Sequence, residues 1–165
     1  MKTRSLFIIF LFLALVQVLP AQQTPRLIHF DELETYFNKE DNTLYVINFW
    51  ATWCRPCVAE LPFFDIVAEE HKDDPIQVLL ISLDFAEELD GKVAAYIERR
   101  QPQSPILVLD EMNPNDWIDK VAVEWTGAIP ATIFVNKKQG IREFHEGDYT
   151  QEELNEKVES LIHRP

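Results

Sequence analysis

The chain predicts an α/β sandwich around a mixed sheet, and three patterns carry that reading. The runs at residues 44–49 and 77–83, Leu-Tyr-Val-Ile-Asn-Phe and Gln-Val-Leu-Leu-Ile-Ser-Leu, are nearly continuous in apolar residues, as strands covered on both faces are. Segments of helical period alternate with such strands, which favours parallel pairing through crossover helices. The chain then closes with a hairpin and a last helix, which adds antiparallel neighbours. The sheet is therefore mixed.

Taken in order, residues 22–28 read as a loose lead-in. Residues 31–37 start on Asp31 and place Leu33, Tyr36 and Phe37 at amphipathic spacing, which predicts a short helix. Strand 44–49 follows. From Cys57 to about Glu70, Val58, Leu61, Phe64, Ile66, Val67 and Ala68 fit a helix that Pro62 should interrupt and kink. Asp73-Asp74-Pro75 is a loop before strand 77–83. Residues 87–100 are helical in period, with Leu89, Val93, Tyr96 and Ile97 on one face; Gly91 weakens the helix and Pro102 ends it. Strand 105–109 and a helix over 115–123, with Trp117, Ile118, Val121 and Ala122 inward, come next. Gly127-Ala-Ile-Pro130 turns into strand 131–135, and Asn136-Lys-Lys-Gln-Gly140 connects it to an outer strand at 141–146. Thr150, with Glu153 three residues on, opens the closing helix as a capping box, its inward residues Leu154, Val158, Leu161 and Ile162.

Residues 1–21 read as a secretory signal peptide: Lys2 and Arg4, an apolar run from Leu6 to Leu19, then Ala21 at the expected cut. A retained membrane anchor is the competing reading. No cysteine follows the run to carry a lipid. Residues 22–165 then form one domain in an exported, periplasmic or cell-envelope setting, expected to be a monomer. Cleavage removes two cations and no acid, so the net charge moves from −13 to −15. So acidic a surface argues against nucleic acid and anionic membranes as partners, since both are polyanions.

The only two cysteines of the chain stand in Trp53-Cys54-Arg55-Pro56-Cys57, between a strand and a helix. There the first sulfur meets the unpaired N–H groups and positive dipole end of a helix, which favour a thiolate. The second sulfur follows about one turn later. This arrangement suits dithiol–disulfide exchange, with no cofactor and no metal. A zinc site would need two more ligands, and His29, His71, His145 and His163 lack paired ligand spacing. A purely structural disulfide across so short a loop would remove little chain entropy. Two idle buried cysteines fit poorly with Arg55 and Pro56 between them.

At these residues the chain resembles the thioredoxin-like superfamily, and within it the exported TlpA/ResA-like thiol–disulfide oxidoreductases. The matching stretches are Asn48-Phe-Trp-Ala-Thr-Trp-Cys-Arg-Pro-Cys57, Glu60-Leu-Pro62 and Gly127-Ala-Ile-Pro-Ala-Thr-Ile-Phe-Val135, within a match over roughly residues 30–162. The resemblance implies a thioredoxin-like three-layer α/β/α sandwich with a mixed central sheet. It implies that Cys54 is the nucleophile, Cys57 the resolving thiol, and Cys54–Cys57 the redox disulfide. It also implies that Pro130 is a cis proline beside the dithiol, with Ile129 presenting backbone groups to an extended substrate. Trp53, Arg55 and Pro56 would border that substrate, Trp53 as an exposed lip, while Trp50 packs in the core. The implied partners are thiols or disulfides of exported proteins, reduced with electrons from a membrane donor, as in cytochrome c maturation.

Where ordinary thioredoxins place a buried carboxylate, this chain has Asn48, which cannot titrate. Glu60 stands three residues after Cys57, on the same helix face, where the resemblance associates a glutamate with the site. It is the candidate for moving protons to and from Cys57; the opposing reading is a solvated surface glutamate. Two other functions compete. A thiol peroxidase carries Pro and Thr or Ser seven and three residues before its cysteine, where Ile47 and Ala51 stand here. A non-enzymatic binding module would be a copper chaperone, which uses a wider cysteine spacing and a distant histidine, or a substrate-holding domain.

Overall fold

The computed structural model describes residues 24–164. The predicted signal peptide, 1–21, lies outside the described residues. Six strands form one sheet in the order β1-β4-β3-β2-β5-β6: β1 (Arg26–Ile28), β2 (Leu44–Trp50), β3 (Ile76–Ser82), β4 (Ile106–Leu109), β5 (Ala131–Asn136) and β6 (Ile141–Glu146). The first four are mutually parallel. β5 runs antiparallel to β2, and β6 antiparallel to β5. Pleating sends alternate residues of β2 to opposite faces. Leu44, Val46 and Trp50 join one apolar core with Leu61, Phe64 and Val67 of α2 (Arg55–Glu70) and with Leu154, Val158 and Leu161. Tyr45, Ile47 and Phe49 join the other, with Leu33 and Phe37 of α1 (Phe30–Asn38), Trp117 and Trp125. Helices thus cover both faces, and β2 at the centre is buried along its whole length.

Several boundaries differ from those the sequence predicts. The lead-in is not loose: Arg26–Ile28 pairs with Leu107–Leu109 as an edge strand. Only Ile28 of its three residues is buried, so no alternation marked it. Helix α2 begins at Arg55 rather than Cys57 and continues unbroken through Pro62, which lies exposed. On α2, Val58, Ile66 and Ala68 are only half-buried, whereas Cys57 and Glu60 are buried with Leu61, Phe64 and Val67. The single helix expected over 87–100 is a 3₁₀ turn (Ala86–Glu88), a π turn (Leu89–Val93) containing Gly91, and α3 (Ala94–Arg100). Gly91, which lies inside the π turn, is the residue whose low helix propensity weakens this stretch in the sequence. The helix expected over 115–123 shrinks to a 3₁₀ turn (Pro114–Asp116) and α4 (Ile118–Val121).

The closing helix, α5 (Gln151–Ile162), begins in the capping box that Thr150 and Glu153 predict. The Glu153 amide donates to Thr150 Oγ1 at 3.3 Å, and the Thr150 amide to Glu153 Oε2 at 2.9 Å. Thr150→Ala should cost about 1 kcal/mol in urea unfolding, because one helix N–H then loses its acceptor. An unchanged midpoint would mean that the box contributes nothing to stability.

Candidate dithiol site

The parallel strands deliver their C-terminal ends to one edge of the sheet, and the cysteines sit there. After Trp50 the chain turns through residues 51–53, the Cys54 amide donating to Ala51 O at 3.1 Å. Cys54 then caps α2: its sulfur accepts the Cys57 amide at 3.4 Å, with Pro56 in the first turn. This is the position where backbone donors stabilise a sulfur anion. Cys54 and Cys57 are joined as a disulfide, their Cα atoms 5.3 Å apart. Cys54 is 6% exposed and Cys57 is fully covered, so only the first sulfur can meet another protein.

The facing wall comes from the turn before β5. Phe49 pairs with Ala131, which sets Pro130 level with Trp50, the last residue of β2 before the turn to Cys54. The Ile129–Pro130 bond is cis, and the Ile129 carbonyl lies 3.7 Å from the Cys54 sulfur. Trp125 Nε1 donates to Ala128 O at 2.8 Å, and the Gly147 amide to Pro130 O at 2.9 Å, fixing the turn from both sides. Trp53 is 66% exposed next to Cys54, with Arg55 and Pro56 also at the surface. Trp50 is buried against Tyr96, ring centroids 4.8 Å apart. The structure therefore gathers Cys54, Cys57, Trp53, Arg55, Pro56, Ile129 and Pro130 at one edge.

Glu60 is not a solvated surface residue. It is 1% exposed, one helical turn after Cys57. One carboxylate oxygen accepts Asn48 Nδ2 at 2.8 Å and the other accepts the Tyr149 amide at 2.8 Å. Burial raises its pKa to about 7; those two hydrogen bonds pull it down, and the charge of Asp148 adds to the rise. Asn48 Nδ2 also reaches Thr132 Oγ1 at 3.1 Å, while Asn48 Oδ1 is buried without a hydrogen-bond partner. The amide thus meets Glu60 with its donor side, the arrangement that suits a charged carboxylate. A neutral Glu60 would need an acceptor there, which the opposite amide orientation supplies.

A second buried carboxylate escaped the sequence reading. Asp84, two residues past the end of β3, accepts the Thr52 amide at 2.8 Å, Thr52 Oγ1 at 2.6 Å and Ser82 Oγ at 2.7 Å. It ties the turn that carries Trp53 and Cys54 to the neighbouring strand. Its only sequence signal was an acid directly after a buried strand.

A family model described as the AhpC/TSA family matches residues 29–144, more than half of the chain. The chain belongs to the AhpC/TSA family. The family match spans β2, the dithiol and the cis-proline turn alike. Among curated relatives, the thioredoxin-like protein YneN of Bacillus subtilis is 28% identical over 69% of this chain and 62% of its own length. A thiol-disulfide oxidoreductase ResA of Oceanobacillus iheyensis is 30% identical over 66% of this chain and 52% of its own. The chain thus spans between half and two thirds of these relatives. Among solved structures, a thioredoxin-related protein from Neisseria meningitidis superposes with TM-score 0.64 at 22% identity, over 76% of this chain and 89% of that one. StoA from Bacillus subtilis superposes with TM-score 0.55 at 24% identity, over 72% and 84%. The AhpC/TSA chain therefore has a thioredoxin-like fold.

Proposed function

We propose that this protein is an exported thiol–disulfide oxidoreductase that exchanges its Cys54–Cys57 pair with cysteines of other exported proteins, working as a reductant. The observation that carries the reading is Cys54 itself: the barely open sulfur at a helix N-terminus, with a covered partner sulfur behind it. In the forward direction the Cys54 thiolate attacks one sulfur of a substrate disulfide. The substrate's other sulfur leaves as a thiolate and takes a proton. Cys57 then loses its proton to the Glu60 carboxylate and attacks the Cys54 sulfur, releasing the second substrate thiolate. Two electrons pass to the substrate, and the protein is left as the disulfide. A dithiol donor at the membrane returns it to the reduced state, and Glu60 gives its proton back to Cys57. A carboxyl with a pKa of about 7 can both take and return a proton near neutrality.

The relatives named as thiol-disulfide oxidoreductases support the reaction class, and the basic, apolar N-terminus supports export. Reduction of apocytochrome c before haem attachment is the substrate reading that the TlpA/ResA resemblance favours, and an acidic chain suits basic substrates. A thiol peroxidase fits less well, because Ile47 and Ala51, at the positions that would activate a peroxide, are buried and aliphatic.

The test is mechanism-based trapping. In Cys57→Ser, attack by Cys54 should stall at the mixed disulfide, so a partner protein from the native host's envelope should migrate joined to it on non-reducing gels. The bond should disappear in Cys54→Ser. Absence of any adduct in the Cys57→Ser protein would overturn the catalytic assignment.

A further inference from the structure

Five large apolar side chains are exposed among the described residues: Leu27, Trp53, Phe85, Met112 and Val123. Exposed apolar residues scattered singly need no explanation. Three of these five are not scattered. Trp53, Phe85 and Met112 lie in the loops that leave the C-terminal ends of β2, β3 and β4, which are adjacent in the sheet. Neighbouring strands stand about 4.8 Å apart, so the loops form a row roughly 10 Å across. Trp53 and Phe85 are 66% and 79% exposed, and Met112 is 99% exposed. The first two leave from a common knot. The Leu83 amide donates to Trp50 O at 2.8 Å, and Asp84, directly before Phe85, holds Thr52, directly before Trp53.

We propose that Trp53, Phe85 and Met112 form a docking ridge for the cysteine-bearing segment of the substrate, selecting large apolar residues near its cysteine and a Lys or Arg beside them. This rests on the thiol–disulfide exchange reading. The occupant follows from access: with Cys54 only 6% exposed, an incoming sulfur reaches it only if the segment carrying it lies against the surrounding loops. Ile129 and Pro130 bound that segment on the β5 side, and the ridge continues on the opposite side, over β3 and β4. Charge narrows the partner further. Glu87 and Asp90 are exposed after Phe85, and Asp110 is half-buried before Met112, whereas Glu111 is turned to α1, its Oε1 accepting the Phe30 amide at 2.7 Å. An apolar row bordered by carboxylates suits an apolar segment with a cationic neighbour.

The experiment uses the reduced protein and stopped-flow tryptophan fluorescence. It compares three synthetic peptide disulfides that differ only beside the cysteine (Phe-Lys, Ser-Lys and Phe-Glu) with hydroxyethyl disulfide as a small reference. The Phe-Lys peptide should react about 3- to 10-fold faster than the Ser-Lys peptide, the effect of partly covering one large apolar side chain. The Phe-Glu peptide should also be slower, by a margin that shrinks with added salt. In the Phe85→Ser/Met112→Ser double variant, the ratio of Phe-Lys to reference rate should fall by a similar factor. Equal rates for the three peptides, or a preference that survives the double variant, would overturn the ridge. So would concentration-dependent self-association abolished by Phe85→Ser together with no peptide preference, since the occupant would then be a second copy of the chain. Failure of the wild type to react even with hydroxyethyl disulfide would instead overturn the exchange reading.

Discussion

Glu60→Gln should flatten the pH dependence of stability of the oxidised protein between about pH 4.5 and 8. In the folded protein the Glu60 pKa is about 7, against 4.5 for an ordinary glutamate. Across that interval the folded state keeps a proton that the unfolded state has released. Stability is therefore fully present below the unfolded value and falls as pH rises, because the unfolded state binds fewer protons. At about 1.4 kcal/mol per pH unit, the loss is about 3 kcal/mol, complete above pH 7. A glutamine carries no such linkage. It also fits: its oxygen can accept the Tyr149 amide, and its NH₂ can face Asn48 Oδ1 once the Asn48 amide turns over, giving that unpartnered oxygen a donor. The disulfide holds both sulfurs, so neither titrates, and the other ionisable groups, Asp148 and Tyr149 among them, are common to both proteins. Urea unfolding without reductant, at pH 4.5 and pH 8, measures the difference. Parallel curves for wild type and variant would remove Glu60 as a buried group that titrates near neutrality.

Much of the architecture was legible because its signals are local. Strand β2 announces itself as a run covered on both faces, and the capping box of α5 lies within four residues. Strand β1 was not legible, since three residues become a strand only through β4, about 80 positions later. The helix expected over 87–100 breaks into a π turn that contains Gly91, whose weakening effect was visible although the wide turn was not. At the site the same division holds. The cysteines, Trp53 and the Ile129–Pro130 turn stand in contiguous motifs. Helical spacing placed Glu60 on the face of Cys57, yet its burial depends on the Tyr149 amide 89 residues away and on Asn48 in the neighbouring strand. Reading Asn48 only as a lost base missed its use as the partner that a titrating Glu60 faces. The link from Asp84 to Thr52 spans 32 residues, and nothing in either segment signals it.

Asp84→Ala should destabilise the protein by about 3 kcal/mol and slow disulfide exchange beyond what that loss accounts for. The carboxylate takes three donors at 2.6–2.8 Å: the amide and hydroxyl of Thr52 and the hydroxyl of Ser82. Removing it strands them in a covered site, and each unpaired group costs about 1–3 kcal/mol. The sum falls short of three full penalties, because hydroxyls rotate and Thr52 is only half-buried. Asp84→Asn keeps one acceptor but turns an NH₂ toward another donor, so it should lie between wild type and alanine. The functional effect has a different origin. The Thr52–Asp84 pair holds the turn whose next two residues are Trp53 and Cys54, so its loss frees the N-cap sulfur from a fixed approach. Exchange rates measured where both proteins are fully folded separate the two effects. An alanine variant that unfolds within about 0.5 kcal/mol of wild type, the range of ordinary surface substitutions, would show that the turn is held by its backbone alone. One that loses stability but exchanges at the wild-type rate would confine Asp84 to folding. The expected result, slower exchange in a folded protein, would make the end of β3 part of how the first cysteine is aimed.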